Sequence, residues 1–203
     1  MEIPHKHITC SHEANDLEAS YYLHFYLISA LVSLEHIYDF KYYDNNMFEN
    51  KFQYYHYYVD HLLYSMGQIS ERFREKDNPS DKEKAYYARR NINRINYGFD
   101  DATYPLLSDK SFRNTIEHID EHNINVITKH DAVGGFNVIE EGISDELKIK
   151  LLNKRDIHPY TLDLTLKQLY IERNGKSLTL NLHDLKQEII QLKNRVDDFW
   201  KSY

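Results

Sequence analysis

Apolar residues recur with a helical period along most of this chain and with a strand period near its end. Between Leu17 and Tyr38 they fall at 17, 21, 24/25, 28, 31/32, 35 and 38, with His24 and Glu35 interrupting. That period predicts a helix with a wide buried face at the centre of a bundle. Phe48, Phe52, Tyr55, Val59, Leu62, Met66, Ile69 and Phe73 step by four and three without a miss, the seam of a long helix packed against antiparallel neighbours. The stretch DNPSD (77–81) breaks the pattern, and Asp81 is placed to cap a third helix through Lys82 to Tyr97, with Gly98 as its stop. Tyr104-Pro105 opens a fourth helix that continues towards Thr128, since proline is tolerated in a first turn.

Residues 130 to 160, with Gly134, Gly135 and Gly142, predict only a short helix around 144–152. The period then changes. Leu162, Leu164 and Leu166 alternate, as do Leu178, Leu180 and Leu182, and Asn174-Gly175 between them signals a type I′ hairpin. Leu169 and Ile171 fall out of phase with the first set, which predicts a bulge or bend near Lys167. A last helix has Asp184 near its start and Leu185, Ile189, Leu192, Val196 and Phe199 on one face. The predicted fold class is mainly α: one domain over 1–203, an up-and-down bundle with a β-hairpin over 161–182 inserted before the C-terminal helix.

With 41% hydrophobic and 28% charged residues and only 6 Gly and 4 Pro in 203, the composition is that of a folded, helical chain. Cys10 is the only cysteine, which excludes an intrachain disulfide and a Cys-based zinc site and points to a reducing cytoplasm. The polar N-terminus lacks the apolar core of a signal peptide, and Tyr21–Leu34 is too short for a bilayer span and contains His24, so no membrane association is expected. A net charge of −7 argues against coating nucleic acid through bulk electrostatics. It leaves room for an enzyme that grips a few phosphates, and Lys82, Lys84, Arg89, Arg90, Arg94, Lys110 and Arg113 form one basic region. The plainer reading of those side chains is a solvated helix face. The 18 tyrosines suit thick helix contacts, interfaces and base-stacking surfaces equally well.

Candidate chemistry concentrates in SFRNTIEHIDEH (111–122). At about 100° per residue, Phe112, Ile116 and Ile119 form a core stripe on the fourth helix. Asn114, His118, Glu121 and Asn125 cluster on the opposite side, with Arg113 and Glu117 on one flank. Imidazole titrates near neutrality, so His118 can act as general base or acid, and the Arg113 guanidinium can grip a phosphate with a fork of donors. Asn114, one turn before His118, can orient either.

Arg113-Asn114-Thr115-Ile116-Glu117-His118 resembles the R-N-x-x-x-H signature of the HEPN superfamily, helical proteins of which many are ribonucleases in toxin–antitoxin, abortive-infection and phage-defence systems. The likeness covers most of 12 to 129 plus the last helix; the hairpin departs from the minimal pattern. It implies a metal-independent endoribonuclease without a cofactor, Arg113, Asn114 and His118 being catalytic and the site composite at a homodimer interface. RNA is the implied substrate and a cognate antitoxin or sensor protein the implied partner. Glu117, Asp120 and Glu121 would tune His118, since a nearby carboxylate favours imidazolium. A further polar residue from an early helix is common in the family, and Glu35 and His36 are candidates.

Three other readings compete. The motif can be a solvated face with an Arg113–Glu117 ion pair at i,i+4. His118-Ile119-Asp120-Glu121-His122 also fits the inverted zinc-protease pattern H-x-x-E-H. The whole can be a HEPN-like binding module that docks RNA, a nucleotide or a protein without cutting.

Overall fold

A computed structural model describes residues 11–39, 47–109, 111, 136–153, 160–173 and 176–201. Helix α1 spans Ser11–Tyr38 and α2 spans Lys51–Glu71, its first turn capped by Asn50, whose Oδ1 accepts the Phe52 and Gln53 N–H groups at 3.0 Å each. The two run antiparallel: His36 pairs with Tyr54, Ser29 with Ser65, and Arg72 lies over the Tyr22 ring. Helix α3 spans Asp81–Tyr97, α4 is a single turn at Pro105–Ser108, α5 covers Asp145–Asn153 and α6 covers Leu182–Lys201. Helix α6 is antiparallel to α1, since His24 meets Asp197 at 3.0 Å while Lys186 lies over the Tyr38 ring. At about 100° per residue, the α1 side chains that meet α2 and those that meet α6 lie roughly 160° apart, so α2, α1 and α6 form a layer with α1 in the middle.

The α2 seam is as expected from Tyr55 to Phe73, except that Phe52 is 49% exposed. Helix α1 departs further from expectation. Its buried side chains are Leu23, Leu27, Ala30, Leu34 and Ile37, while Tyr21, Phe25, Ile28 and Val32, which the period placed in the core, face outward. Both stripes are apolar and lie on opposite faces, so periodicity could not choose between them. The flanking helices do.

Helix α3 is capped by Ser80 and not by Asp81, because the Glu83 carboxylate accepts both the Ser80 N–H (2.9 Å) and its hydroxyl (2.8 Å). It stops at Gly98, which sits at φ 55° in the left-handed region. A Cβ there would lie 2.0 Å from Arg195 Nη1, which donates to the Tyr97 and Gly98 carbonyls at 3.1 and 3.0 Å. The predicted fourth helix is interrupted: α4 ends at Asp109, which is extended, and the Asp109 carboxylate accepts the Ser111 N–H at 2.7 Å where helix resumes. Residues 112–128 lie outside the described residues.

The C-terminal β region is larger than a hairpin. Strands β1 (Phe136–Ile139), β2 (Tyr160–Asp163), β3 (Gln168–Arg173) and β4 (Lys176–Asn181) form one sheet in that order, with β1 parallel to β2 and the rest antiparallel. The parallel pair needs the crossover that α5 supplies. The bend expected near Lys167 is present, with Lys167 at φ 52°, but Leu164 and Leu166 belong to the turn and not to a strand. Register pairs Arg173 with Lys176; Asn174 and Gly175 are outside the described residues. Alternate residues, among them Val138, Leu162, Leu169 and Leu180, join the helical core.

Two buried carboxylates hold this arrangement. Glu188 on α6 accepts the N–H groups of Leu106 (3.0 and 3.1 Å) and Leu107 (3.0 Å), the orphan donors of α4. Burial pushes its carboxyl above the usual range against those bonds. Asp163, fully buried, receives the Thr165 and Leu166 N–H groups and pairs with Lys148 of α5 at 2.8 Å. Burial raises its carboxyl, but Lys148, Thr165 and Leu166 together hold it below the ordinary value.

Glu188→Ala is expected to cost about 3 kcal/mol, from two stranded N–H groups. Because its folded pKa is raised, the Glu188 contribution falls as pH rises from 4.5 through the folded value. Glu188→Gln should abolish that component in urea titrations run across pH. Lys148→Met leaves a buried carboxylate unpaired and should cost about 3 kcal/mol. Asp163 stabilises above pH 3.8 and its contribution is lost as pH falls through the depressed folded value, so the Lys148→Met deficit should shrink in acid.

Candidate functional site

Arg113, Asn114, Glu117, His118, Asp120 and Glu121 all lie outside the described residues, and so do His122 and the stripe Phe112, Ile116 and Ile119. The described chain fixes what stands on either side of them. Upstream, α4 is anchored on Glu188 near the start of α6. Downstream, Phe136 stacks on His56 of α2 with centroids 5.2 Å apart and planes at 21°, and Lys51 pairs with Glu140. The start of α6, the start of α2 and the end of α1 lie together, because both neighbours run antiparallel to α1. Both ends of the 112–135 span therefore join the described chain at one end of the bundle, the end that carries the sheet.

Several polar groups at that end are engaged with one another among the described residues. His56 Nε2 lies 3.4 Å from Asp60 Oδ2 at i,i+4, and the Tyr57 ring meets that of His61 at 4.3 Å. The i,i+4 spacing of His56 and Asp60 is visible in the sequence. Burial, with Glu140 nearby, pushes the Tyr55 phenol up to about 12, so it stays protonated near neutrality. A shallow cleft of about 440 Å³ is lined by Glu140, Glu141, Leu164, Thr165 and Lys167. Its Thr165 side chain is already tied to Asp163 and its Glu140 to Lys51, leaving Glu141 and Lys167 as the charged lining. Among the described residues no group of three or more His, Cys, Asp or Glu is arranged to hold a metal ion.

The two early-helix candidates separate clearly. Glu35 is exposed near the end of α1. His36 is half-buried: its ring stacks on Tyr58 with centroids 4.0 Å apart and planes at 5°, and its Nδ1 lies 2.8 Å from the Tyr54 hydroxyl. Burial lowers its pKa below 6.5, with Glu35 pulling the other way. An imidazole held neutral between two tyrosines of α2 is a helix-packing group.

The basic region is largely neutralised locally. Lys84 pairs with Asp81 at 2.6 Å, Arg90 with Glu71 at 3.4 Å, and Arg94 with Glu75 at 2.9 Å and Asp101 at 3.4 Å. Arg90 also covers the Tyr86 ring at 3.1 Å. Lys82 and Arg89 are exposed and form no ion pair among the described residues; Lys110 and Arg113 lie outside them. A solvated helix face accounts for Lys82, Lys84 and Arg89, whereas Arg90 and Arg94 are largely buried and donate to the Glu71 and Phe73 carbonyls at 2.8 and 3.1 Å. No described helix is long and apolar enough to cross a membrane.

Comparison with known protein families, characterised proteins and solved structures gives no match for this chain.

If His36 packs helices, His36→Phe keeps the stack on Tyr58 and loses the Tyr54 bond, costing about 1 kcal/mol. Any RNA cleavage should be unchanged. A neutral buried imidazole stabilises above pH 6.5, and that contribution is lost as pH falls through its lowered folded value. The His36 titration followed by NMR should have its midpoint below 6.5. Lost cleavage at unchanged stability would return His36 to the site.

Proposed function

We propose that the protein is a metal-independent endoribonuclease of a defence or toxin–antitoxin system, resembling HEPN nucleases, with Arg113, Asn114 and His118 as its catalytic set. The observation that carries this reading is their spacing: Asn114 and His118 fall opposite the stripe of Phe112, Ile116 and Ile119, with Arg113 on the flank of that polar cluster. Metal-free RNA cleavage needs a base to take the 2′-hydroxyl proton while that oxygen bonds to phosphorus. It also needs an acid to protonate the departing 5′-oxygen, and a cation for the charge on the pentacoordinate transition state. The products are a 2′,3′-cyclic phosphate and a 5′-hydroxyl. One chain supplies one His118, whereas the two proton transfers occur on opposite sides of phosphorus. A twofold pair of chains supplies two histidines and two arginines to one cleft. Glu117, Asp120 and Glu121 favour imidazolium by proximity. RNA is the substrate and an antitoxin or sensor the natural partner.

A second reading, a HEPN-like module that binds without cutting, is favoured by one observation: Tyr21, Tyr22, Phe25 and Tyr64 are exposed aromatic residues of the kind enriched at protein interfaces.

Purified protein incubated with total RNA and a chelator should yield fragments ending in cyclic phosphate. His118→Ala and Arg113→Ala should each lower the rate by about 10² or more, the usual worth of one acid–base group or one charge-stabilising donor. Equal cleavage by wild type and both variants would exclude this site, and cleavage by none would favour the binding module. In cells, growth arrest on expression should be relieved by either substitution.

A further inference from the structure

Helix α1 is apolar on two opposite faces, and one chain covers one of them. On the open face Tyr21, Phe25, Ile28 and Val32 are 63%, 55%, 41% and 44% exposed. They are spaced by four, three and four residues, the seam of a helix that packs against another helix. No Asp, Glu, Lys or Arg falls between Tyr21 and Val32. Tyr22 and Tyr64 extend the surface across the groove to α2, where Tyr64 meets Tyr26 edge to face at 6.0 Å. Taking roughly 200 Å² per large side chain, these six residues leave on the order of 600 Å² uncovered. That is the upper end of the largest patch a soluble monomer shows, and most of the ~800 Å² per partner that a standard interface buries.

The described residues that flank the 112–135 span pack elsewhere. Helix α4, which precedes the 112–135 span, packs its Leu107 into the core on the covered side of the α2–α1–α6 layer. Phe136, which follows that span, stacks on His56 on the flank of α2 turned away from α1. Among the described residues nothing covers the open face beyond its own α1 and α2 side chains, and its pattern fits a second copy of itself.

We propose that this face docks a second copy of the chain about a twofold axis, with α1 antiparallel to its counterpart. With the axis between Phe25 and Ile28, Phe25 lies against the partner subunit's Ile28 and Tyr21 against the partner subunit's Val32. Each layer then sets a ring against a β-branched side chain, the alternation of large and small by which facing positions interdigitate. A parallel pair would set ring on ring in two layers and leave small residues facing each other in the other two. The contact stands on the described helices and does not rest on the nuclease reading. Two isologous contacts with perpendicular axes close a tetramer, so α1 pairing is compatible with a composite cleft built elsewhere.

Light scattering after gel filtration, over a concentration series, tests this. Wild type is expected at two or four times 24.4 kDa. Phe25→Glu, at a site more than half exposed, should keep the circular dichroism and thermal midpoint and halve that mass. Its association should weaken at least ~100-fold, because each pair would bury two unpaired carboxylates. In a Cys10→Ser background, a mixture of Phe25→Cys and Ile28→Cys chains should form a mixed disulfide faster than either chain with itself. A wild type at 24.4 kDa throughout, an unchanged mass for Phe25→Glu, or fastest linkage of Phe25→Cys to itself would overturn the proposal. Wild type that assembles through α1 yet cleaves no RNA would support this contact while overturning the nuclease reading.

Discussion

Two charged side chains on one face of α6 set the path of the chain from α3 to the motif-bearing span. Arg195 caps the carbonyl end of α3 through Tyr97 and Gly98, and Glu188 caps the amide end of α4 through Leu106 and Leu107. They are seven residues apart, two turns, so they project from the same side of the helix. Each sign matches the backbone end it meets, cation on carbonyls and anion on N–H groups. Between them Phe99 stacks on Phe73 at 4.0 Å and on Tyr104 at 5.0 Å, which fills the space under the connection.

The elements that sequence reading found are those set by local chemistry. Gly98 stops α3 because its left-handed φ of 55° favours a residue without Cβ, and the alternation around Leu180 marks a strand because one face of it is buried. Its errors arise where a distant residue decides. Nothing local reveals that Glu188 spends its charge inside the protein, or that Asp163 is buried with Lys148. Strand β1 is four residues long, and its pairing partner Tyr160–Asp163 lies beyond α5, so no short-range signal marks it. Phe52 obeys the helical seam of α2 yet stays exposed, while Phe48 one turn earlier packs against the core.

The candidate site was legible in a different way. Arg113, Asn114 and His118 are recognisable by type and spacing, which requires only a helical period. A supporting residue from an early helix was not, and one of its two candidates is engaged in helix packing. His36 fits the type of a catalytic histidine, but its ring is stacked on Tyr58 and hydrogen-bonded to Tyr54, roles that depend on the antiparallel pairing of α1 with α2. A histidine on a helix is ambiguous until its neighbours are known.

The tyrosines resolve along the same line. Tyr54, Tyr97 and Tyr104 are buried outright and thicken contacts between elements, whereas Tyr21, Tyr22 and Tyr64 stand on the open side of the layer. A phenol on an exposed face keeps its hydroxyl hydrated while the chain is alone and offers a flat apolar ring when another surface arrives. A leucine at the same position would leave the lone chain prone to indiscriminate association. Helix α1 thus combines aliphatic residues inward, where packing is permanent, with aromatic and β-branched residues outward, where contact has to form after folding. Such a division is expected of a helix that completes its burial in a second step, because domains are built by covering one apolar layer with another.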